Sequence, residues 1–193
     1  MKSPIAAVAL SDEALMAAYV QGDKVAFRTL FERYVQPLSR MMGRGLFSQR
    51  DTRDLVQKTF LQLHRARYDF RKGASLRPWL FTIAMNVKRQ YLRTVKRRRE
   101  NDLAPEERQE PTVSAYDPVR SEQVRQLRAA LTKLPAGQRE VIELHWLEGL
   151  SFQEVATVVG ATRSAVKVRA HRGYARLQEI LRTMGVTEQF DAR

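Results

Sequence analysis

A cluster of prolines near the middle of the chain limits the available folds more than any other sequence feature. Pro105, Pro111 and Pro118 all fall within residues 101–119, a segment without apolar periodicity. A proline inside a helix removes a hydrogen bond and clashes with the preceding turn, so this density favours an extended tether. Since 193 residues suffice for one medium domain or two small ones, we predict a linker at 101–119 between two small domains.

Charge is distributed unevenly around this linker. Residues 1–100 hold 21 Lys and Arg against 8 Asp and Glu, residues 101–119 hold 1 against 5, and residues 120–193 hold 12 against 8. The three net charges are therefore +13, −4 and +4, which sum to the +13 of the whole chain. Solubility needs a net charge of only about 2–8 in magnitude. Two basic blocks around an acidic bridge indicate a polyanionic partner, and we predict nucleic acid.

Composition excludes several classes of protein. The chain contains no cysteine, which rules out disulfides, thiolate catalysis and cysteine-based zinc sites. Its histidines, His64, His145 and His171, lack metal-site spacing, so we predict no metal and no cofactor. The N-terminal stretch lacks the apolar core of a signal peptide, and no segment approaches the roughly 18 uncharged apolar residues of a membrane helix. We expect a cytoplasmic protein without direct membrane insertion, in keeping with the absence of cysteine.

Apolar residues recur at three- and four-residue steps on both sides of the linker, the period of an α-helix. Runs of β-branched residues and period-two alternation are absent. The predicted fold is therefore all-α, with two small helical domains joined by a Pro-rich acidic linker. Pro37 predicts a kink or break in the second helix, which otherwise extends from Val25 to about Arg44. Asp51 is a candidate N-cap for the third helix.

The stretch from Ser151 to Leu177 has the pattern of a helix-turn-helix. Ser151 and Glu154 have the spacing of a capping box, Gly160 supplies the turn, and Thr162 can cap the second helix. The second helix is rich in basic residues, as expected of a recognition helix in a major groove. The alternative is an ordinary helical hairpin with a solvated basic face. The candidate DNA-binding residues are Arg163, Ser164, Lys167, Arg169, His171 and Arg172.

Three stretches, DLVQKTFLQLHRA, LRPWLFTIAMNVKRQYLR and LPAGQREVIELHWLEGLSFQEVA, together resemble a bacterial RNA polymerase sigma factor of the extracytoplasmic-function (ECF) type. The resemblance covers about residues 11–183. It implies a non-enzymatic protein, without a small-molecule substrate, that binds core RNA polymerase and promoter DNA. Region 2, at residues 11–100, would read and melt the −10 element, and region 4, at residues 120–183, would read the −35 element. The family also implies an anti-sigma factor as a partner.

The resemblance implies two surfaces on region 2. The loop from Tyr68 to Arg77 matches the family's loop that captures a flipped base, and seven basic residues without an acid lie between Lys88 and Arg99. Charge and flat aromatic surfaces are what an unstacked strand needs, although Trp79 and Phe81 could equally be core residues. The predicted −10 DNA-binding residues are Tyr68, Asp69, Phe70, Arg71, Trp79, Asn86, Lys88, Arg89 and Arg93. The predicted polymerase-binding residues are Arg53, Asp54, Gln57, Lys58, Leu61 and Gln62.

The sequence departs from the family pattern at two of its positions. Lys58 stands where the family usually has an acidic residue, which puts that single polymerase contact in doubt. Val168 stands where the family often has serine, so the promoter preference of other members does not transfer. The acidic linker matches the family's connector in the RNA exit path, where its charge could mimic RNA, or it is simply a soluble tether.

Two other functional classes compete with this interpretation. A free-standing helix-turn-helix regulator would need a ligand-sensing domain with a βα pattern or an apolar pocket before residue 120, and a dimerisation helix. Neither is evident in the sequence. An enzyme acting on nucleic acid would need clustered carboxylates or a metal set, and the N-terminal block offers only close pairs such as Asp51 with Asp54. The sequence therefore favours the sigma factor.

Overall fold

The computed structural model describes residues 10–44, 48–101 and 118–186, and every regular element in these ranges is helical. The chain divides into two compact units, one before and one after residue 110. The eight α-helices are α1 Asp12–Val20, α2 Lys24–Gly43, α3 Gln49–Arg65, α4 Leu76–Asn101, α5 Pro118–Thr132, α6 Ala136–Ile142, α7 Phe152–Val159 and α8 Arg163–Thr183. The prediction of an all-α fold is confirmed. Most of the predicted linker, with its suggested RNA mimicry, lies outside the described residues.

Helix α2 continues through Pro37 from Lys24 to Gly43, so of the predicted kink or break the break is wrong, and the kink stays a prediction. A proline costs about 3 kcal/mol inside a helix because it removes one hydrogen bond and crowds the preceding turn. Tyr34 and Leu38, on either side of the proline, are both buried against the rest of the unit. This burial holds the helix in one piece despite the missing hydrogen bond.

The start of α3 also differs from the prediction. Ser48, rather than Asp51, is the N-cap, and its hydroxyl accepts a hydrogen bond from the Asp51 backbone N–H at 3.1 Å. The Asp51 carboxylate in turn accepts from the Ser48 backbone, at 3.4 Å, which completes a capping box. The acidic residue therefore stands three positions inside the helix and stabilises its first turn.

Polar contacts between distant residues tie the helices of the N-terminal unit together. Asp12 at the start of α1 accepts hydrogen bonds from Arg33, at 2.7 Å, and from the hydroxyl of Tyr34. Burial, and then the hydrogen bond to Asp12, raise the pKa of Tyr34, so this hydroxyl stays protonated as a donor. The Glu13 carboxylate accepts from the backbone N–H of Leu76 at 3.0 Å. The Asp12 bonds join α1 to α2, and the Glu13 bond fixes the first turn of α4, the helix that carries the candidate residue Trp79.

In the C-terminal unit the core lies between α5, α6 and α8. Its buried apolar cluster is Ala130, Leu131, Leu134, Ile142, Leu177 and Leu181. Gly173 of α8 lies against Ile142 so closely that a Cβ at position 173 would stand 2.8 Å from the Ile142 Cδ1 atom. The absence of a side chain at Gly173 therefore allows α6 and α8 to pack at this distance.

Candidate nucleic-acid interface

The helix-turn-helix of the C-terminal unit is built from local caps. The Ser151 hydroxyl accepts from the Glu154 N–H at 3.2 Å, and the Glu154 carboxylate accepts from the Ser151 N–H at 2.8 Å. Gly160 ends α7 in the left-handed region at φ 67° and ψ 44°, where residues with a Cβ are strained. The Thr162 hydroxyl then accepts from the Ala165 N–H at 3.2 Å and begins α8. The predicted capping box, turn and second cap are confirmed.

Helix α8 buries one apolar face and exposes a basic one, in which Val168 is the exposed large apolar residue. Val166, Ala170, Gly173, Leu177 and Leu181 recur at three- and four-residue steps and are buried against the unit. All six candidate −35 residues are exposed: Arg163, Ser164, Lys167, Arg169, His171 and Arg172. The sequence of the helix contains no acidic residue before Glu179. The exposed face is thus positively charged and rich in hydrogen-bond donors, which suits both phosphates and guanine edges.

A π-helical segment at Glu143–Leu147 continues α6 into the helix-turn-helix and was not predicted from the sequence. The Nδ1 atom of His145 donates to the Leu150 carbonyl oxygen at 2.6 Å, and its ring stacks on Phe152 at 4.0 Å. His145 therefore braces the segment against α7, a structural role. No sequence signal announces this segment, because the i to i+5 hydrogen bonds of a π turn use the same residue types as an α-helix.

In the N-terminal unit, the most exposed aromatic ring among the candidate −10 residues belongs to Tyr68. Its side chain is 68% exposed and lies on the 3-10 turn Arg67–Asp69 that follows α3. The Arg67 guanidinium lies 4.2 Å from the centre of the Tyr68 ring and donates to its hydroxyl at 3.0 Å. Arg67 also donates to the His64 carbonyl at 2.6 Å, which anchors it to the end of α3. Sequence reasoning missed Arg67, because an arginine beside a tyrosine carries no distinctive pattern.

Phe70 lies within the predicted base-capturing loop and Trp79 lies two residues beyond its end, in α4, and the structure brings their rings together. Their ring centres are 5.1 Å apart at 55°, and both side chains are half-buried. Asp69 and Arg71, the remaining candidates of the loop, are exposed. By contrast, Phe81 is completely buried, so the core alternative holds for that residue. Trp79 is half-buried and packs against Phe70, so its predicted place in the DNA surface stays a prediction.

Along α4 the candidate residues do not share one environment. Asn86 and Arg93 are exposed, and Arg89 is half-buried with a 3.3 Å hydrogen bond from its guanidinium to the Asn86 side-chain oxygen. Lys88 is only 7% exposed, and its ammonium donates to the carbonyl oxygens of Met41, at 3.0 Å, and Arg44, at 3.2 Å. The placement of Lys88 among the phosphate-binding residues is therefore corrected. The Lys88 ammonium interacts with the C-terminal end of α2, where the helix dipole favours a positive charge.

The six candidate polymerase-binding residues of α3 are all exposed: Arg53, Asp54, Gln57, Lys58, Leu61 and Gln62. Four of them line a groove of about 810 Å³ between the ends of α1, α2 and α3. Phe27 and Phe60 also line this groove, with their rings edge to face at 6.2 Å. The groove has an apolar character that the polar sequence of α3 did not predict, because Phe27 comes from a different helix.

The described residues contain neither a cluster of metal-binding side chains nor a helix able to span a membrane. Residues 10–44, 48–101 and 118–186 hold no group of three or more His, Asp or Glu side chains placed to bind a metal ion. Within the same ranges, none of the helices combines the length and the apolar character that crossing a membrane would require.

Comparison with known proteins gives a consistent result for both units. Residues 30–99 match the sequence model of Sigma-70 region 2, and residues 124–177 match that of Sigma-70 region 4. The RNA polymerase sigma factor CarQ of Myxococcus xanthus is 34% identical over 166 residues, which cover 86% of this chain and 95% of CarQ. The ECF RNA polymerase sigma factor SigM of Mycobacterium tuberculosis is 32% identical over 171 residues, covering 89% of this chain and 85% of SigM.

Two solved structures have a similar fold. CnrH, in complex with the cytosolic domain of CnrY, aligns with a TM-score of 0.70 and 27% identity over 89% of this chain and 97% of that chain. The sigma factor RpoE of Bartonella quintana, in complex with the anti-sigma factor NepR, aligns with a TM-score of 0.68 and 25% identity over 81% of this chain and 96% of that chain.

Proposed function

The chain belongs to the ECF sigma factors of bacterial RNA polymerase, and from this premise we propose how its two units share promoter recognition. As a member of the family, it directs promoter-specific initiation of transcription by RNA polymerase. The family consists of non-enzymatic initiation factors, and we assign no catalytic activity to this chain. In our assignment residues 11–100 are region 2, residues 101–119 the linker and residues 120–183 region 4.

Region 4 reads the −35 element with the exposed face of α8. The observation that carries this proposal is the separation of faces on α8, where six candidate DNA-binding residues are exposed opposite the buried core residues. Lys167 and Arg172 are assigned to base edges, since lysine and arginine bond to guanine O6 and N7 in the major groove. Arg169, nearer the edge of the face, is assigned to phosphate, which positions the helix without reading sequence.

Region 2 reads and opens the −10 element with the loop between α3 and α4 and with the outer face of α4. Tyr68 offers an exposed ring on which a flipped base can stack, and Phe70 of the same loop packs against Trp79 near the start of α4. Unpairing and unstacking cost a few kcal/mol per base, which such stacking can offset. Arg93 and the Asn86–Arg89 pair supply polar contacts along the strand, whereas Lys88 holds α4 in place from inside.

The exposed face of α3 is assigned to core RNA polymerase. Asp54, Gln57, Lys58 and Leu61 border an apolar groove, so this surface offers polar contacts around a desolvated centre. Lys58 brings a positive charge to this border. We expect the polymerase contact at Lys58 to differ from that of family members with an acidic residue there.

An anti-sigma factor is a further proposed partner. The solved relatives with a similar fold, CnrH and the RpoE of Bartonella quintana, are bound to CnrY and to NepR. We propose that this chain binds a protein partner of the same kind, which would compete with polymerase for the chain. A cytoplasmic location follows from the same proposal, because polymerase and promoter DNA are there.

Transcription from purified components tests the proposed function. The protein is mixed with core RNA polymerase from a related bacterium and fragmented genomic DNA, and the 5′ ends of the transcripts are sequenced. The expected result is a set of discrete start sites that depend on the protein and share two upstream motifs. Start sites at random positions, or binding to duplex DNA without any polymerase-dependent start, would contradict the sigma role and favour a free-standing regulator.

A further inference from the structure

Val168 is an exposed apolar residue in the middle of the basic stretch of α8. Its side chain is 49% exposed, and its neighbours in sequence are Lys167 and Arg169. Valine is among the residues most often found fully buried. A single exposed valine is unremarkable elsewhere on a surface, but the position of Val168 on this helix is unusual.

The geometry of the helix places Val168 directly opposite the core. Successive residues of an α-helix are rotated by about 100°. The buried residues Val166, Ala170 and Gly173 therefore point within about 60° of one another, and Val168 points about 180° from the middle of that set. Its side chain stands at the centre of the outward face of α8.

Polar side chains surround Val168 on this face. Ser164 lies one turn before it, and His171 and Arg172 lie one turn after it, at the spacings that bring helix side chains together. All three are exposed. Since this face is the one proposed to enter the major groove, an apolar side chain stands where the base edges are nearest, between residues that can hydrogen-bond to bases or phosphates.

The major groove presents one apolar group among its hydrogen-bonding ones, the C5 methyl of thymine. Valine has neither a donor nor an acceptor, so it cannot distinguish guanine, cytosine or adenine by hydrogen bonds. Its two methyl groups can pack on a thymine methyl and remove apolar surface from water. The polar groups of any other base at that position would lose water without gaining a partner.

We propose that Val168 is a specificity-determining residue that contacts the methyl group of one thymine in the −35 element. The proposal rests on the proposed function, in which α8 reads that element. The valine side chain is short, so α8 must lie close to the base edges at this point, and Ser164 and Arg172 then face the adjacent base pairs.

Replacing thymine by deoxyuridine tests this contact, because the change removes the methyl group and leaves every hydrogen-bonding group in place. A promoter obtained from the transcription experiment is prepared with each −35 thymine replaced in turn. Initiation by the full chain with core polymerase is then compared on each template. For the native protein we expect one position at which deoxyuridine lowers initiation about threefold to fivefold, the effect of one buried methyl group.

The variant Val168→Ala isolates the side chain. We expect it to initiate equally well on thymine and deoxyuridine at that position while it still prefers the native −35 element to a scrambled one. Arg182→Ala, about four turns beyond Val168 towards the C-terminal end of the same helix, should keep the native response to deoxyuridine. Thermal unfolding of Val168→Ala should match the native protein, because the residue is exposed.

Several results would overturn the proposal. These are a −35 element without thymine, the absence of any position sensitive to deoxyuridine, and equal sensitivity in Val168→Ala and the native protein. In each case a continued preference for the native over the scrambled −35 element would leave the proposed function intact. If neither protein distinguished native from scrambled DNA, the proposed function itself would fail.

Discussion

The two units of this sigma factor differ in the polar contacts that stabilise each of them internally. Those of the N-terminal unit join distant residues, and those of the C-terminal unit join near neighbours in sequence. In the N-terminal unit, hydrogen bonds join Glu13 to Leu76 and Lys88 to Met41, pairs that are 63 and 47 residues apart in the chain. In the C-terminal unit, the caps at Ser151 and Thr162 join residues three apart. The first unit therefore positions its proposed DNA-binding loop through tertiary contacts. The second presents its proposed recognition residues on one locally capped helix.

This difference predicts which substitutions will disturb which property. In the N-terminal unit, changes to buried polar residues should loosen the whole helical arrangement, because each such bond connects two helices. In the C-terminal unit, exposed residues of α8 should alter DNA binding with little effect on stability, because the fold of the helix does not depend on them. Four substitutions test this comparison, two in each unit.

The largest effect is expected for Lys88→Met. Methionine has a similar length, but it leaves the carbonyl oxygens of Met41 and Arg44 without the charged donor. Hydrogen bonds to charged groups contribute about 1.5–3 kcal/mol, and we expect a loss of this size in the free energy of unfolding. Urea unfolding of the full chain measures this loss in the free energy of unfolding, and hydrogen exchange locates the weakened helices. Arg93→Met, an exposed change on the same helix, is the control, and equal stability of the two variants would contradict the structural role of Lys88.

Trp79→Ala should slow promoter opening more than it weakens polymerase binding. Base–aromatic stacking contributes about 1–3 kcal/mol per base, and Phe70 would also lose its supporting ring. Stopped-flow fluorescence from a probe in the −10 region reports the opening rate. Trp146→Ala, which removes the tryptophan of the other unit, should leave that rate unchanged. An unaltered opening rate in Trp79→Ala would restrict Trp79 to a packing role.

Arg172→Ala should reduce initiation from −35-dependent promoters by about 1–3 kcal/mol, the value of a base contact. The side chain is exposed on α8, so the urea midpoint should not move. Initiation is compared on the native promoter and on one with a scrambled −35 element. A loss of the same size on both templates would reassign Arg172 from base readout to phosphate binding.

Gly173→Ala should give the smallest effect, a destabilisation of about 1 kcal/mol. The new Cβ would meet the Ile142 Cδ1 atom at 2.8 Å, and the cost of this overpacking exceeds the higher helix propensity of alanine. Ile142→Val removes that Cδ1 atom, so the double variant should be more stable than the sum of the two changes predicts. Additive effects in urea unfolding would show that α6 and α8 are free to separate.

The same contrast explains which features were predictable from the sequence. The capping box at Ser151, the turn at Gly160 and the face of α8 depend on residues a few positions apart, where spacing determines geometry. Lys88 looked like one more basic residue of α4, because no nearby residue in the sequence indicates the carbonyl oxygens of Met41 and Arg44 to which it donates. The apolar groove beside α3 was missed for the same reason, because Phe27 comes from a different helix.

The π-helical segment Glu143–Leu147 has a consequence for changes in chain length. A π turn holds about one residue more than an α turn, so the helix leading into the helix-turn-helix contains one residue more than a regular α-helix over the same turn would. Removal of one residue there could be absorbed by conversion to a regular α turn, leaving both ends in register. The same deletion in α8 would rotate every following side chain by about 100° and point the recognition residues away from the groove. Single-residue deletions in related chains should therefore be found in the π-helical segment and be absent from α8.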